Sequence, residues 1–375
     1  MKATLRTEDL QKKLTLLQHG VSQRAQLPIL LNIYLEVTGG KLLLRSTDLE
    51  IGIETTIIVT DPEEGAVTVP AKPFSELVSA LSGEVITLDS KEGSIQVLSK
   101  KTKSVFQTTV KDEFPRLYLE KGEKVAIIPI ERFQKDLGYV VFAASTDTTR
   151  VNLSGVLLKP GEATATGKQG TLLVATDGYR LSLKHTSDSG PSSQIETSLL
   201  IPARVLREVL ALREGTEDIS IFVAKEQNQV IFSLGETLVV GRVIDASFPS
   251  YEKILPTDVA STIFFDKEEM LKAVRMCSIF ARDAANIIKF SLRKDKIIVS
   301  SQAASLGENT VEVEASLQGE ENEIAFNARY VLDILGNIQD DDIYLEMTGP
   351  LNPGVFKIKG DDSFLHLIMP IRVQG

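Results

Sequence analysis

The 375-residue chain has a single cysteine, Cys277. One cysteine excludes an intramolecular disulfide and suits a reducing compartment. It stands at an apolar helical position, which favours a core residue over a nucleophile. Histidine is scarce as well. His19, His185 and His366 stand far apart, none within metal-ligand spacing of another or of the cysteine, so no zinc or other metal site is expected. Gly-rich phosphate loops are missing, because Gly235 and Gly241 form neither a Walker nor a dinucleotide pattern. No apolar run approaches the roughly 20 residues that span a membrane. The charged opening from Met1-Lys2-Ala3 to Arg6, Glu8 and Asp9 fits no signal peptide, and a cytoplasmic protein is expected. Carboxylates are scattered with no pair singled out, so neither catalysis nor a cofactor is expected.

What is present is a threefold repeat. Leu10, Leu14 and Leu17 stand at helical spacing i, i+4, i+7; Phe133, Leu137 and Val140 repeat it, and so do Met270, Val274 and Cys277. A second signature follows each of these. An apolar strand runs into Pro70-Ala71-Lys72, Pro202-Ala203-Arg204 or Asn327-Ala328-Arg329, and helical apolar triplets come next: Phe74, Leu77, Val78; Leu206, Val209, Leu210; Val331, Ile334, Leu335. A repeat of roughly 125–130 residues is a whole domain. The boundaries predicted are 1–122, 123–256 and 257–375, with joins in the Pro- and charge-rich stretches Asp112 to Lys124 and Pro256 to Ser261.

Between its helices each copy is strand-rich. Leu42 to Leu44, Ile51 to Thr60, Ser94 to Val97 and Ser104 to Val110 carry this pattern in the first copy, with Gly39-Gly40 and Lys100 to Lys103 as turns. The fold class expected is α+β: two helices per copy share an apolar face that antiparallel sheets bury. Hydrophobic residues at 43% and charged residues at 25% are ordinary for a globular protein.

Four segments carry a more specific signal: Leu44-Arg45-Ser46-Thr47-Asp48-Leu49-Glu50, Ala175-Thr176-Asp177-Gly178-Tyr179-Arg180-Leu181, Ile244 to Tyr251 with Ile254-Leu255-Pro256, and Met369-Pro370-Ile371-Arg372-Val373. In their order and spacing, across the whole chain, they resemble the bacterial DNA polymerase III β subunits, the sliding clamps. The resemblance implies a head-to-tail homodimeric ring of six clamp domains that encircles duplex DNA and confers processivity on the replicative polymerase. Its other implied partners, the clamp loader and repair proteins, dock through short linear peptides. The receiving pocket it implies comprises Leu153, Thr176, Gly178, Tyr179, Arg180, Leu181, Pro249, Ile254, Asn327, Tyr330, Met369, Pro370, Ile371 and Arg372. For DNA it implies Arg24, then Lys72 and Arg204. For the dimer seam it sets Phe106 against Ile279 and Phe280 of the partner copy, with Lys101 and Lys103 facing Glu308, Glu312 or Glu314. The chain departs from the family pattern in having Tyr179 where His is common, Lys253 where Arg is frequent and Ala285 where some members have an aromatic, which leaves the preferred peptide open.

Size supports a dimer independently. Domains of ~125 residues are spheres of roughly 18 Å radius; three in a ring leave a gap of about 6 Å, and six leave about 36 Å, wide enough for a duplex. Charge is reconciled by its distribution. The formal net charge is −10, yet the predicted helices carry Lys12, Lys13, Lys72, Arg132, Lys135, Arg204, Arg207, Arg213, Lys267, Lys272, Arg275, Arg282 and Arg329 against slightly fewer carboxylates. A mildly basic bore would hold DNA loosely, through sequence-independent contacts. The alternative reading is a monomeric peptide-binding scaffold that does not encircle DNA.

Overall fold

The computed structural model describes residues 1–22, 27–109, 111–163, 169–186, 197–213 and 218–372. Each repeat follows one order: a strand, a helix, a group of strands, a second helix, and three strands. In the first these are β1 Lys2–Arg6, α1 Thr7–Leu17, β2 Asn32–Thr38, β3 Lys41–Thr47, β4 Ile51–Ile58, β5 Thr60–Glu63, β6 Gly65–Pro70, α2 Ala71–Ala80, β7 Val85–Lys91, β8 Ser94–Leu98 and β9 Lys103–Gln107. The second has β10 Glu123–Pro129, α3 Ile130–Gly138, β11 Gly155–Ala163, β12 Gln169–Thr176, β13 Arg180–Thr186, β14 Leu199–Pro202, α4 Ala203–Ala211, β15 Asp218–Ala224, β16 Gln229–Leu234 and β17 Thr237–Arg242. The third has β18 Ser261–Phe265, α5 Lys267–Ala281, β19 Ile287–Leu292, β20 Lys296–Ala303, β21 Gly307–Gly319, β22 Asn322–Asn327, α6 Ala328–Asn337, β23 Ile343–Met347, β24 Gly354–Ile358 and β25 Asp361–Ile368.

The helices form where the apolar spacing places them. Leu10, Leu14 and Leu17 are buried, as are Phe74 and Val78, Met270, Val274 and Cys277, and Val331, Ile334 and Leu335. Val140 is buried too, but it lies beyond the end of α3, beside the short turn Val141–Ala143. Local chemistry sets the helix starts. Glu8 and Asp9 lie at the positive end of the α1 dipole, and Asp266 caps α5 by accepting from Glu269 N at 2.8 Å. Gly39 and Gly40, both at positive φ, make the tight β2–β3 hairpin. The Cys277 thiol is pushed up to about 11 by burial, which fits a core residue.

By contacts the chain forms two compact units, which divide the middle repeat. The first holds the described residues of 1–130 and 207–243; the second holds those of 131–206 and 244–372. In the first unit one sheet runs β5-β1-β7-β8-β9 and another β10-β15-β16-β17-β4-β3-β2-β6. In the second unit the sheet runs β14-β11-β12-β13-β25-β24-β23-β18-β21-β20-β19-β22. Repeats are therefore joined by strand pairing: β17, the last strand of repeat two, pairs with β4 of repeat one, and β25, the last of repeat three, pairs with β13 of repeat two.

Candidate functional site

The motif Thr176 to Arg180 is a turn built by its own side chains. Thr176 Oγ1 donates to the Arg180 carbonyl at 2.6 Å and accepts from Gly178 N at 3.0 Å; Asp177 Oδ1 accepts from Tyr179 N at 2.9 Å and Arg180 N at 3.0 Å. Gly178 supplies the positive φ of 91°. The first repeat builds the same turn with Thr47 and Asp48. Thr47 Oγ1 donates to Ile51 O at 2.8 Å and accepts from Leu49 N at 3.0 Å, and Asp48 Oδ1 accepts from Glu50 N at 3.1 Å and Ile51 N at 2.9 Å. Leu49 takes the left-handed position at φ 78°. The similarity of the two motifs is thus a shared backbone device.

In the second unit this turn puts Tyr179 in solvent, 60% exposed, and tucks Arg180 beneath it at 8%. Arg180 Nε donates to Asp177 at 3.0 Å, Nη1 to Asp333 of α6 at 2.5 Å, and Nη2 to the Phe142 carbonyl at 2.9 Å. Its guanidinium also lies 4.5 Å from the Tyr330 ring centroid. Burial raises the Tyr330 hydroxyl, helped by the nearby Asp177 charge. The C-terminal segment passes alongside: Met369 N donates to Tyr179 O at 2.8 Å, and Ile371 N to Ala325 O at 2.8 Å. Below, Leu172, Val174, Leu181, Leu183, Tyr251 and Leu367 form an apolar floor, with Phe248, Leu255 and Met369 half-buried against it. A cleft of about 350 Å³ opens between Lys253–Asp258 and the Thr348–Pro353 loop; Ile254 and Met369 line it.

Of the pocket residues expected from sequence, Thr176, Gly178, Tyr179, Arg180, Tyr330 and Met369 are thus bonded or stacked into one group, and Ile254 shares the cleft with Met369. Leu153 and Leu181 are interior and offer floor rather than surface. Pro249 is exposed, Pro370 and Ile371 are half-buried and Arg372 is exposed. The Asn327 side chain caps α6, accepting from Arg329 N at 3.0 Å. Of the departures, Lys253 lines the cleft and Ala285 sits at positive φ after α5.

Sequence reasoning missed Asp333, Phe142 and the pair Ser182–His366. His366 is fully buried with Nδ1 2.6 Å from Ser182 Oγ, and its Nε2 has no partner among the described residues. Burial, and then the charge of Arg180, lowers its pKa. A lone polar residue between apolar neighbours reads locally as an outward-facing strand position; only the β13–β25 pairing brings these two together.

The equivalent place in the first unit is closed. There the Thr47 to Gly52 turn borders a crevice of about 60 Å³. Leu117, buried with Ile231, Leu238 and Val240, fills the space, one methyl 2.9 Å from where a Cβ on Gly52 would lie.

The cation and seam expectations divide. Arg24 lies outside the described residues. Lys72 and Arg204 are exposed, each the second residue of its helix. Lys267, counted above among the bore cations, is instead buried. Its ammonium donates to the carbonyls of Ile338 and Gln339, both at 3.2 Å, and pairs with Asp341 at 2.9 Å. Phe106 is half-buried and turns inward, its ring edge-on to Phe74 at 5.8 Å, while neighbouring Val105 is 51% exposed. Ile279 is 56% exposed on α5 and Phe280 half-buried. Glu312 is bound to Lys296 at 2.8 Å, while Glu308 and Glu314 are exposed.

Comparison with known proteins agrees with this architecture. Residues 1–118, 127–250 and 252–372 match the N-terminal, central and C-terminal domain families of the DNA polymerase III beta subunit. The chain is 29% identical over 397 residues to the beta sliding clamp of Synechocystis, covering 100% of both. With the beta sliding clamp of Staphylococcus aureus strain Mu50 it shares 30% over 367 residues, 94% of each. The crystal structure of the DNA polymerase sliding clamp from Bacillus subtilis superposes with a TM-score of 0.90 at 27% identity, over the full length of both chains.

Proposed function

The chain belongs to the DNA polymerase III beta subunit family, the sliding clamps, and we propose that it works as a ring closed by two copies of itself, head to tail. It is a DNA sliding clamp, a processivity factor and not an enzyme. Three tandem clamp domains, divided at 1–122, 123–256 and 257–375, give six around a duplex. The observation that carries the ring is the rule by which repeats join. The last strand of repeat two completes the sheet of repeat one, and the last strand of repeat three that of repeat two. By the same rule β9, the last strand of repeat one, seeks β21 of a preceding third repeat. Both have an edge for it: β9 ends its sheet, and Gly307–Glu314 of β21 pairs on one side only among the described residues. Lys101 and Lys103 flank the first edge, Glu308 and Glu314 the second, and α5, which carries Ile279 and Phe280, packs against β21. Such a seam is head to tail and closes with two chains.

Duplex DNA in the bore meets Arg24, Lys72 and Arg204 through phosphate contacts that carry no sequence information. Replicative polymerase, clamp loader and repair proteins dock by short peptides on the group around Tyr179, Tyr330 and Met369. There an apolar floor with a few polar groups suits an aliphatic or aromatic anchor. Leu153, Leu181 and Pro249 shape that site, Ile254 and Met369 line it, and Asn327, Pro370, Ile371 and Arg372 border it. The protein is cytoplasmic. Its one cysteine is free and buried, and no helix of the described residues is long and apolar enough to cross a membrane.

The test is topological. The protein is loaded on nicked circular DNA, which is then linearised. A ring slides off the ends, whereas retention on linear DNA overturns encirclement. Sedimentation near twice 41.1 kDa is expected; a monomer would favour the scaffold reading. Lys72→Glu with Arg204→Glu should shorten retention on closed circles, and unchanged retention would remove these residues from the DNA surface.

A further inference from the structure

The two junctions between repeats obey one pairing rule but bury different chemistry. Counting from the matching turns, Ile51, Ile53 and Thr55 of β4 stand where Arg180, Ser182 and Lys184 stand on β13. Both sets are buried. In the first unit β17 sets Val239 opposite Ile53, an apolar pair with neither residue exposed, and Thr237 opposite Thr55, their hydroxyls 3.0 Å apart. In the second unit β25 sets His366 opposite Ser182, again with neither residue exposed, and Nδ1 lies 2.6 Å from Oγ. Two residues on, Lys184 donates to Asp361 and Ser363, both at 2.7 Å.

Closing a junction does not require a polar pair, because Ile53 and Val239 close the first one without it. A hydroxyl and an imidazole are tolerated in the interior only while they bond each other. That bond is directional, so it fixes the plane of the imidazole, which an apolar contact would leave free.

The fixed ring supports the neighbouring pocket by two routes. The Phe142 ring lies 5.2 Å from the imidazole, centroid to centroid. Phe142 in turn holds Arg180: its carbonyl accepts from Nη2 at 2.9 Å, and its ring lies 5.7 Å from the guanidinium. Arg180 carries the Tyr330 ring and bonds Asp177 in the turn that presents Tyr179. The other route follows the strands. Tyr179 precedes Ser182 by three residues and Met369 follows His366 by three, and the two meet where Met369 N donates to Tyr179 O.

We propose that Ser182 and His366 are positioning residues for peptide docking: their bond holds the imidazole against Phe142, and so holds Arg180, Tyr330 and the Tyr179 turn in the arrangement a peptide meets. This role rests on the pocket proposed around Tyr179, Tyr330 and Met369. Neither residue touches the peptide, since both are fully enclosed. The pair is found at the junction beside the open cleft, and apolar residues take its place at the junction whose crevice is closed.

The test compares full-length variants for affinity to a fluorescent peptide derived from the replicative polymerase, by anisotropy well below each Tm. Ser182→Ala with His366→Leu replaces the pair by apolar groups of similar volume. Tm is expected to stay within about 3 °C, because no polar partner is left unpaired, while affinity falls by about fivefold or more. Ser182→Ala alone should weaken binding in the same direction, and carries the test if the double variant lowers Tm beyond that. Ser182→Thr keeps the hydroxyl and should stay within about twofold of the unsubstituted protein. Affinity unchanged in Ser182→Ala and in the double variant would overturn the proposal and leave the pair as interior packing, as would an equal loss in Ser182→Thr. Tyr179→Ala with Met369→Ala is the control for the pocket. If it binds the peptide undiminished, the pocket reading fails and the positioning role with it; if it alone loses binding, the pocket stands and only the positioning role fails.

Discussion

Arg180→Ala separates two roles for the residue at the centre of the C-terminal site. The structure makes it a support: it is buried, and its bonds run to Asp177, Asp333 and the Phe142 carbonyl, with Tyr330 stacked on it. Truncation leaves Asp177, 9% exposed, without its cation. Breaking a buried pair costs about 3–5 kcal/mol. Asp177 keeps two backbone N–H donors, from Tyr179 and residue 180, which moves the cost to the lower end. The Asp333 carboxylate, 44% exposed, adds under about 1 kcal/mol, and the lost stacking about 1 kcal/mol. The sum is about 4 kcal/mol. At 2–4 °C per kcal/mol for a large domain, Tm should fall by roughly 10 °C. Calorimetry reads this directly, and titration with a polymerase-derived peptide below the transition reads affinity, which should fall as Tyr330 and the Tyr179 turn lose their anchor. Arg180→Lys should recover only part of both, since one ammonium cannot reach three acceptors in a fixed fork. A large loss of affinity with Tm unchanged within about 1 °C would refute the reasoning, because the guanidinium would then be serving the ligand directly.

Three further perturbations probe other features. Leu117→Ala should cost about 3 kcal/mol in urea denaturation, since it empties the space beside Gly52; a loss under about 1 kcal/mol would mean that Leu117 does not plug the first crevice. His366 is held neutral by burial, so below its ordinary value of 6.5 the unfolded chain binds more protons and stability falls with pH, by at most about 1.4 kcal/mol per unit. His366→Asn should flatten the dependence of Tm on pH between 6.5 and about 5, and an unchanged slope would place the acid sensitivity elsewhere. Lys267→Ala should cost about 2 kcal/mol by stripping the Ile338 and Gln339 carbonyls of their donor, yet leave retention on circular DNA as it was; faster loss from circles would return Lys267 to the bore.

The helices and the turns were legible in the chain because both are local. Three or four residues of spacing suffice to read Leu10, Leu14 and Leu17 as a buried stripe. A Thr-Asp pair followed by a residue at positive φ closes its own turn with its own side chains, so Thr47 to Ile51 and Thr176 to Arg180 could be matched without knowing what surrounds them. Threefold repetition then fixed the architecture, since one domain fold served for all three. Strand pairing between repeats left no such trace. β17 on β4 and β25 on β13 join residues more than a hundred positions apart, and nothing in Leu365-His366-Leu367 announces Ser182. For the same reason the sequence could not tell that one of two matching turns would be filled by Leu117 and the other left beside an open cleft. Nor could it tell that Lys267 would turn away from solvent to cap carbonyls while Lys272 stayed exposed. Local periodicity decides which residues make a helix or a turn; burial and pairing depend on what the rest of the chain brings to each face, and only the assembled tertiary structure decides that.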